Sequence, residues 1–204
     1  MAVSVSILLS VWLTYSDNVI NGDGILYLKS AEAFADGDWR QGVTIYRWPL
    51  YAALIGALHY VSGLDTDIVA YVVNGALYAV VVWTFLSIVK LFGADRRTLW
   101  IAAILILALP SLNSYRAFVI RDVGYWAFYL VGLLAFFKFQ LTPRLRLALG
   151  FGLAMTVATL FRIEGIAFLL FMPLVVLWDA GISHRERLAR LAKLNIVLLV
   201  NAVV

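Results

Sequence analysis

Long apolar stretches, set apart by short charged ones, constrain this chain most. They run over residues 2–15, 50–61, 68–92, 99–112, 123–139, 145–161, 166–178 and 195–204. Several reach the roughly 18 residues a helix needs to cross a bilayer core. They are continuously apolar and do not alternate with period two, which excludes a transmembrane β-barrel. Only 14% of the 204 residues are charged and 64% are hydrophobic, whereas an average soluble domain is about 25% charged. The expected fold is an all-α polytopic membrane protein with about seven transmembrane helices.

The run at 2–15 lacks the charged leader of a signal peptide and reads as a first span. The run at 195–204 is too short to cross, so the chain reads as one membrane domain over 1–204, a fragment lacking its C-terminal part. It contains no internal repeat, low-complexity tract or Pro-rich linker. The run at 50–61 lies between Pro49 and Gly63, which suits a short helix lying at the interface. If it does not cross, the loops at 90–97, 138–146 and 179–193 share one side. That side carries ten basic residues against three acidic ones, a balance of +7; the other carries six against nine, a balance of −3. Basic loops stay cytoplasmic. The expected location is therefore a multi-pass plasma (inner) membrane, with the segment between the first two spans on the periplasmic or extracellular side. The same rule accounts for the net charge of +4 without nucleic acid. The chain has no cysteine, so disulfide, thiolate and Cys-zinc chemistry are absent.

The first outer loop is long and acidic, with Asp17, Asp23, Glu32, Asp36 and Asp38. A loop of this kind has no packing obligation and points to binding or chemistry. Two surface helices are expected in it, over 25–35 and 50–61. Asp23, between two glycines, sits at or just before a helix start: a helix cap, or a general base at the membrane surface. Asp122 opens a later span, as a cap paired with Arg121 or Arg116, or as a second functional carboxylate. Arg47, Arg116, Arg121 and Arg162 are all expected outside, against the positive-inside trend. They suit headgroup anchoring, pairing with Asp122 and Glu164, or bidentate binding of a phosphate. Arg162 and Glu164 read most simply as an ion pair. Tyr27, Trp39, Tyr46, Trp48, Tyr51, Tyr60, Tyr115 and Trp126 suit an interfacial aromatic belt, or stacking against a sugar or packing on an isoprenoid tail. His59 and His184 fall on opposite sides and make no metal site. Asn74 and Gly75, within a span, suit helix packing. The stretch at 182–193 reads as a basic amphipathic segment meeting anionic lipid.

In chain order, Asp23, Tyr27, Ala31, Gly37-Asp38-Trp39, Arg47-Trp48-Pro49, Asp122 and Arg162 to Gly165 resemble the N-terminal portion of C-type integral-membrane glycosyltransferases. The similar group includes protein O-mannosyltransferases and lipid A aminoarabinose transferases. The chain departs from that pattern at Gly24, where many members have a second acidic residue. It also departs at Arg116, six rather than five residues before Asp122. The resemblance implies a polyprenyl-phosphate-linked sugar donor, a lipid, glycan or protein acceptor, and transfer at the outer membrane face. It implies catalytic roles for Asp23 and Asp122. Substrate binding would fall to Arg47, Arg116, Arg121, Arg162, Tyr27 and Trp48. No cofactor is certain; a divalent metal bridging Asp23 and Asp122 belongs to the wider superfamily. The competing expectations are a transporter or flippase of a lipid-linked anion, and a non-catalytic membrane subunit.

Overall fold

The structure is a computed structural model and describes residues 1–16 and 20–196. Asp17 and the end of the run at 195–204 lie outside the described residues. The described residues are helical and contain no strand. They fall into two compact units, residues 1–124 and 125–204.

In the first unit, α1 (Ala2–Ser16) packs on α5 (Thr66–Leu91), and α6 (Arg96–Ala108) packs beside both. The acidic segment forms three helices: α2 (Gly22–Ala35), α3 (Trp39–Ile45) and α4 (Leu50–Ser62), with α2 packed chiefly on α4. Helices at 25–35 and 50–61 were expected; α3 was not. Its start is legible in hindsight. Gly37 takes a left-handed φ of 82° just after α2, a conformation that costs glycine nothing. Asp38 then caps α3, its Oδ1 accepting from the Gln41 N–H at 2.9 Å. Trp39 follows and packs on Phe34 with ring centroids 5.0 Å apart.

The run at 99–112 is not one helix. α6 stops at Ala108, Leu109 is extended (ψ 111°), and Pro110 opens the four-residue α7 (Pro110–Asn113). Proline lacks an N–H and disfavours helical backbone at the residue before it, so the break falls where the sequence puts the ring. Residues 114–121 then run as turns and irregular chain into α8 (Asp122–Leu141).

The second unit continues along α8 and holds α9 (Leu145–Phe161), α10 (Gly165–Phe171) and α11 (His184–Leu194). The run at 166–178 is split: α10 tightens into a 3-10 helix over Met172–Trp178, with Pro173 in its first turn. Phe136, Phe139, Phe151, Met155, Leu169 and Leu194 form its core. Arg187 donates to the Leu177 and Ile182 carbonyls, and Arg190 pairs with Glu186 at 2.7 Å.

Among the described residues two helices are long and apolar enough to cross a membrane, α5 with 26 residues and α8 with 20. At about 1.5 Å per residue, α5 extends ~39 Å against a core of ~30 Å. Only 39% of the most apolar window of each is buried inside the protein. The other apolar helices, of 13 to 17 residues, fall short of that length. Seven crossings are thus an expectation that two helices meet by length.

Candidate functional site

The first-unit site is built around the N-terminus of α2. Asp23 lies in the first turn of α2 and is exposed. It is not the cap; Asn21 holds that position and makes no side-chain cap bond. The Asn21 amide oxygen instead accepts the Val119 N–H at 3.0 Å. One hydrogen bond therefore ties the start of α2 to the segment that enters α8. Gly24 allows the approach. A Cβ there would stand 2.7 Å from Asn21 Oδ1 and 3.0 Å from the Val119 Cβ.

The same segment is held from the other side. Asn74, in the middle of α5 and 1% exposed, donates from Nδ2 to the Phe118 carbonyl at 3.0 Å. Its Oδ1 accepts from the Tyr51 hydroxyl at 3.0 Å. Asn74 is thus a polar clamp, where the sequence suggested helix packing alone.

Three tyrosines lie under this junction. Tyr27 packs edge-on against Tyr46 (4.7 Å between centroids) and Tyr51 (5.2 Å), and its hydroxyl donates to the Tyr46 hydroxyl at 3.3 Å. Tyr27 and Tyr51 are 2% and 1% exposed, so they are core rather than belt. Burial pushes the Tyr27 hydroxyl well above the usual phenol range, helped by Tyr46 and by Asp23, while Arg121 opposes the shift. Asp23 and Arg121 therefore both act on Tyr27. Burial likewise raises Tyr51, against the pull of its bond to Asn74. Both remain neutral hydrogen-bond donors. The Arg121 guanidinium stands over the Tyr46 ring, 5.3 Å from its centroid. Arg47, next to Tyr46, is exposed. Trp48 is half-buried, and its indole N–H meets no acceptor among the described residues. Asp122 is half-buried in the first turn of α8, one residue from Arg121.

Arg116 does not join this group. It is 1% exposed, and four of its five guanidinium N–H donors are engaged inside the unit. Nε donates to Asn113 Oδ1 at 2.7 Å, Nη1 to the Ser6 carbonyl and to Ser10 Oγ, and Nη2 to Ser6 Oγ. It also lies over the Tyr78 ring at 4.2 Å. Burial lowers its pKa. The expected outer-face phosphate ligand is thus a fastening between α1 and the turn after α7.

Arg162 belongs to the second unit, where it pairs with Glu164 at 2.6 Å in the turn between α9 and α10, as expected. Among the described residues no group of three or more His, Asp or Glu side chains comes together to hold a metal. A divalent ion at Asp23 and Asp122 would have to draw on a substrate phosphate, a ligand set magnesium accepts.

Sequence reasoning missed Asn21 and took Asn74 for helix packing; their partners lie 98 and 44 residues away. It took Tyr46 as an interfacial aromatic or a stacking surface for sugar or lipid, not as a partner of Tyr27 and Arg121. Comparison with family models, curated proteins and solved structures finds no match to this chain.

Proposed function

We propose that this chain is part of a membrane glycosyltransferase. It would move a sugar from a polyprenyl-phosphate donor to a lipid, glycan or protein acceptor at the outer membrane face. One observation carries the reading: the Val119–Asn21 bond draws Arg121 and Asp122 to the helix start that bears Asp23. Asp23 and Asp122 are 99 positions apart in sequence, yet this bond ties the segments that carry them, and the charges of Asp23 and Arg121 both act on Tyr27.

The chemistry is a single displacement at the anomeric carbon. The acceptor oxygen or nitrogen forms the new bond, and the anomeric carbon–oxygen bond breaks with its electron pair going to the phosphate. Asp23 takes the acceptor proton, and Arg121 with the exposed Arg47 neutralises the leaving phosphate. Removing one such donor commonly costs about 3–4 kcal/mol of transition-state stabilisation. Asp122 orients Arg121 or the acceptor. Arg162 stays a candidate within its own unit; Arg116 is left out because four of its five donors are taken.

Membrane residence in this reading rests on α5 and α8, and the outer placement of the site rests on the loop charges. Transport is the lesser reading. It gains from the break at Leu109–Pro110, since transporters use discontinuous helices. It loses Asn74 as a mid-span ligand, because Tyr51 and Phe118 already occupy that side chain.

The test is release of polyprenyl phosphate from labelled polyprenyl-phosphate sugars by the full-length protein in membranes. Asp23→Asn is nearly isosteric, and the rate is expected to fall about 10²–10⁴-fold with membrane insertion intact. Equal rates for wild type and variant would remove Asp23 from the mechanism. Sugar-independent flux of the labelled lipid, with no transfer, would favour transport.

A further inference from the structure

Two asparagines, one at the start of α2 and one within α5, grip the two polar ends of a single peptide unit in one irregular segment. Asn21, at the start of α2, accepts the Val119 N–H at 3.0 Å; Asn74, from mid-α5, donates to the Phe118 carbonyl at 3.0 Å. Both bonds fall on residues without regular secondary structure, which have no ladder or helix to satisfy them. Val119 is fully buried beneath this grip, and Gly24 leaves the room for it. Arg121 and Asp122 follow immediately. An Asn buried in mid-α5 is costly in an apolar helix unless its polar atoms are used, and here both are.

We propose that Asn21 and Asn74 are positioning residues that hold the 118–119 backbone, so that Arg121 and Asp122 are presented at the N-terminus of α2 beside Asp23. The functional part rests on the glycosyl-transfer reading; the mechanical part does not. The two asparagines divide the work. Asn21 offers only an acceptor to the segment, so an Asp there keeps the bond. Asn74 offers a donor to Phe118 and an acceptor to Tyr51, so neither Asp nor Leu replaces it.

The absence of cysteine allows a direct test. Val119→Cys, in full-length protein whose cysteines outside these 204 residues, if any, are replaced, places one thiol at a buried position. Its rate of reaction with a maleimide reports how often the segment opens. Asn21→Leu leaves the Val119 N–H without its partner and is expected to speed labelling about five-fold or more. Asn21→Asp keeps an acceptor and is expected to stay within about two-fold of the parent. Asn74→Leu is expected to speed labelling as well, in protein that remains monodisperse in detergent. In the transfer assay, Asn21→Leu is expected to lose turnover and Asn21→Asp to restore it. Unchanged labelling in both Leu variants overturns the clamp. Faster labelling with full turnover overturns the positioning role. A wild-type protein without transfer sinks the functional reading alone, and the labelling still decides the clamp.

Discussion

Arg116 is a buried cation whose partners among the described residues are all neutral: two serines, an asparagine, a backbone carbonyl and a tyrosine face. Two effects compete when it is replaced. Removing the charge removes its desolvation cost, while removing the fork removes four directed bonds. Arg116→Lys keeps the cost and loses most of the bonds, so it should destabilise the protein by about 1–3 kcal/mol. Arg116→Met gives up both and should cost less. Thermal unfolding of the two variants in detergent checks the order, and a larger loss for Met would contradict it. Gly24 poses the opposite problem, one of space. A Cβ at this position would crowd Asn21 and Val119, at 2.7 and 3.0 Å. Gly24→Ala should cost about 1–3 kcal/mol by overpacking and should speed labelling of Val119→Cys. An unchanged unfolding midpoint would show that the segment yields instead.

Helices in the acidic segment owe their ends to single residues that the sequence displays openly. Gly37 ends α2, Asp38 caps α3 and Pro49 precedes α4. The Gly-Asp-Trp triplet that suggested a family motif thus has a local structural role as well. α3 has only seven residues and leans on its cap. Asp38→Ala should cost about 0.5–2 kcal/mol and raise hydrogen exchange in 39–45, leaving α2 and α4 protected. Equal exchange across all three helices would mean that packing of Trp39 on Phe34, not the cap, holds α3. The run at 99–112 shows the limit of reading elements by hydropathy. Its apolar residues continue past Ala108, but the backbone turns at Leu109–Pro110, and Tyr78 of α5 donates to the freed Leu112 carbonyl at 3.2 Å. Pro110 was visible in the sequence; a continuous apolar count passes over it.

The first unit carries much apolar surface outward on α1, α5 and α6. Leu8, Val11 and Trp12 on α1, Val72 and Trp83 on α5, and Ile104 and Leu105 on α6 are each more than half exposed. Side chains of this size on neighbouring helices suit a hydrocarbon solvent better than water. Under the proposed topology, a single cysteine at Tyr60, which is 77% exposed on α4, faces outward. One at Arg185 on α11 faces the cytoplasm. A membrane-impermeant maleimide added to intact cells should label Tyr60→Cys, and Arg185→Cys only after permeabilisation. Labelling of both from outside would overturn the sidedness argued from ten basic residues.

Residue order by itself determined the helical class, the apolar runs, helices close to α2 and α4, and the Arg162–Glu164 pair. These depend on hydropathy, glycine and proline backbone limits, and neighbours two or three residues apart. Tertiary structure alone decided which arginine is buried and hydrogen-bonded and which lies over the Tyr46 ring. Arg116 and Arg121 are five positions apart in one loop, and their sequence neighbours do not show that one is buried and the other is not. Ser6 and Ser10 on α1 take the first, more than a hundred residues away in sequence, and Tyr46 after α3 lies under the second. The fate of a guanidinium is set by the acceptors and rings that reach it, and here the folded chain brings them from distant helices.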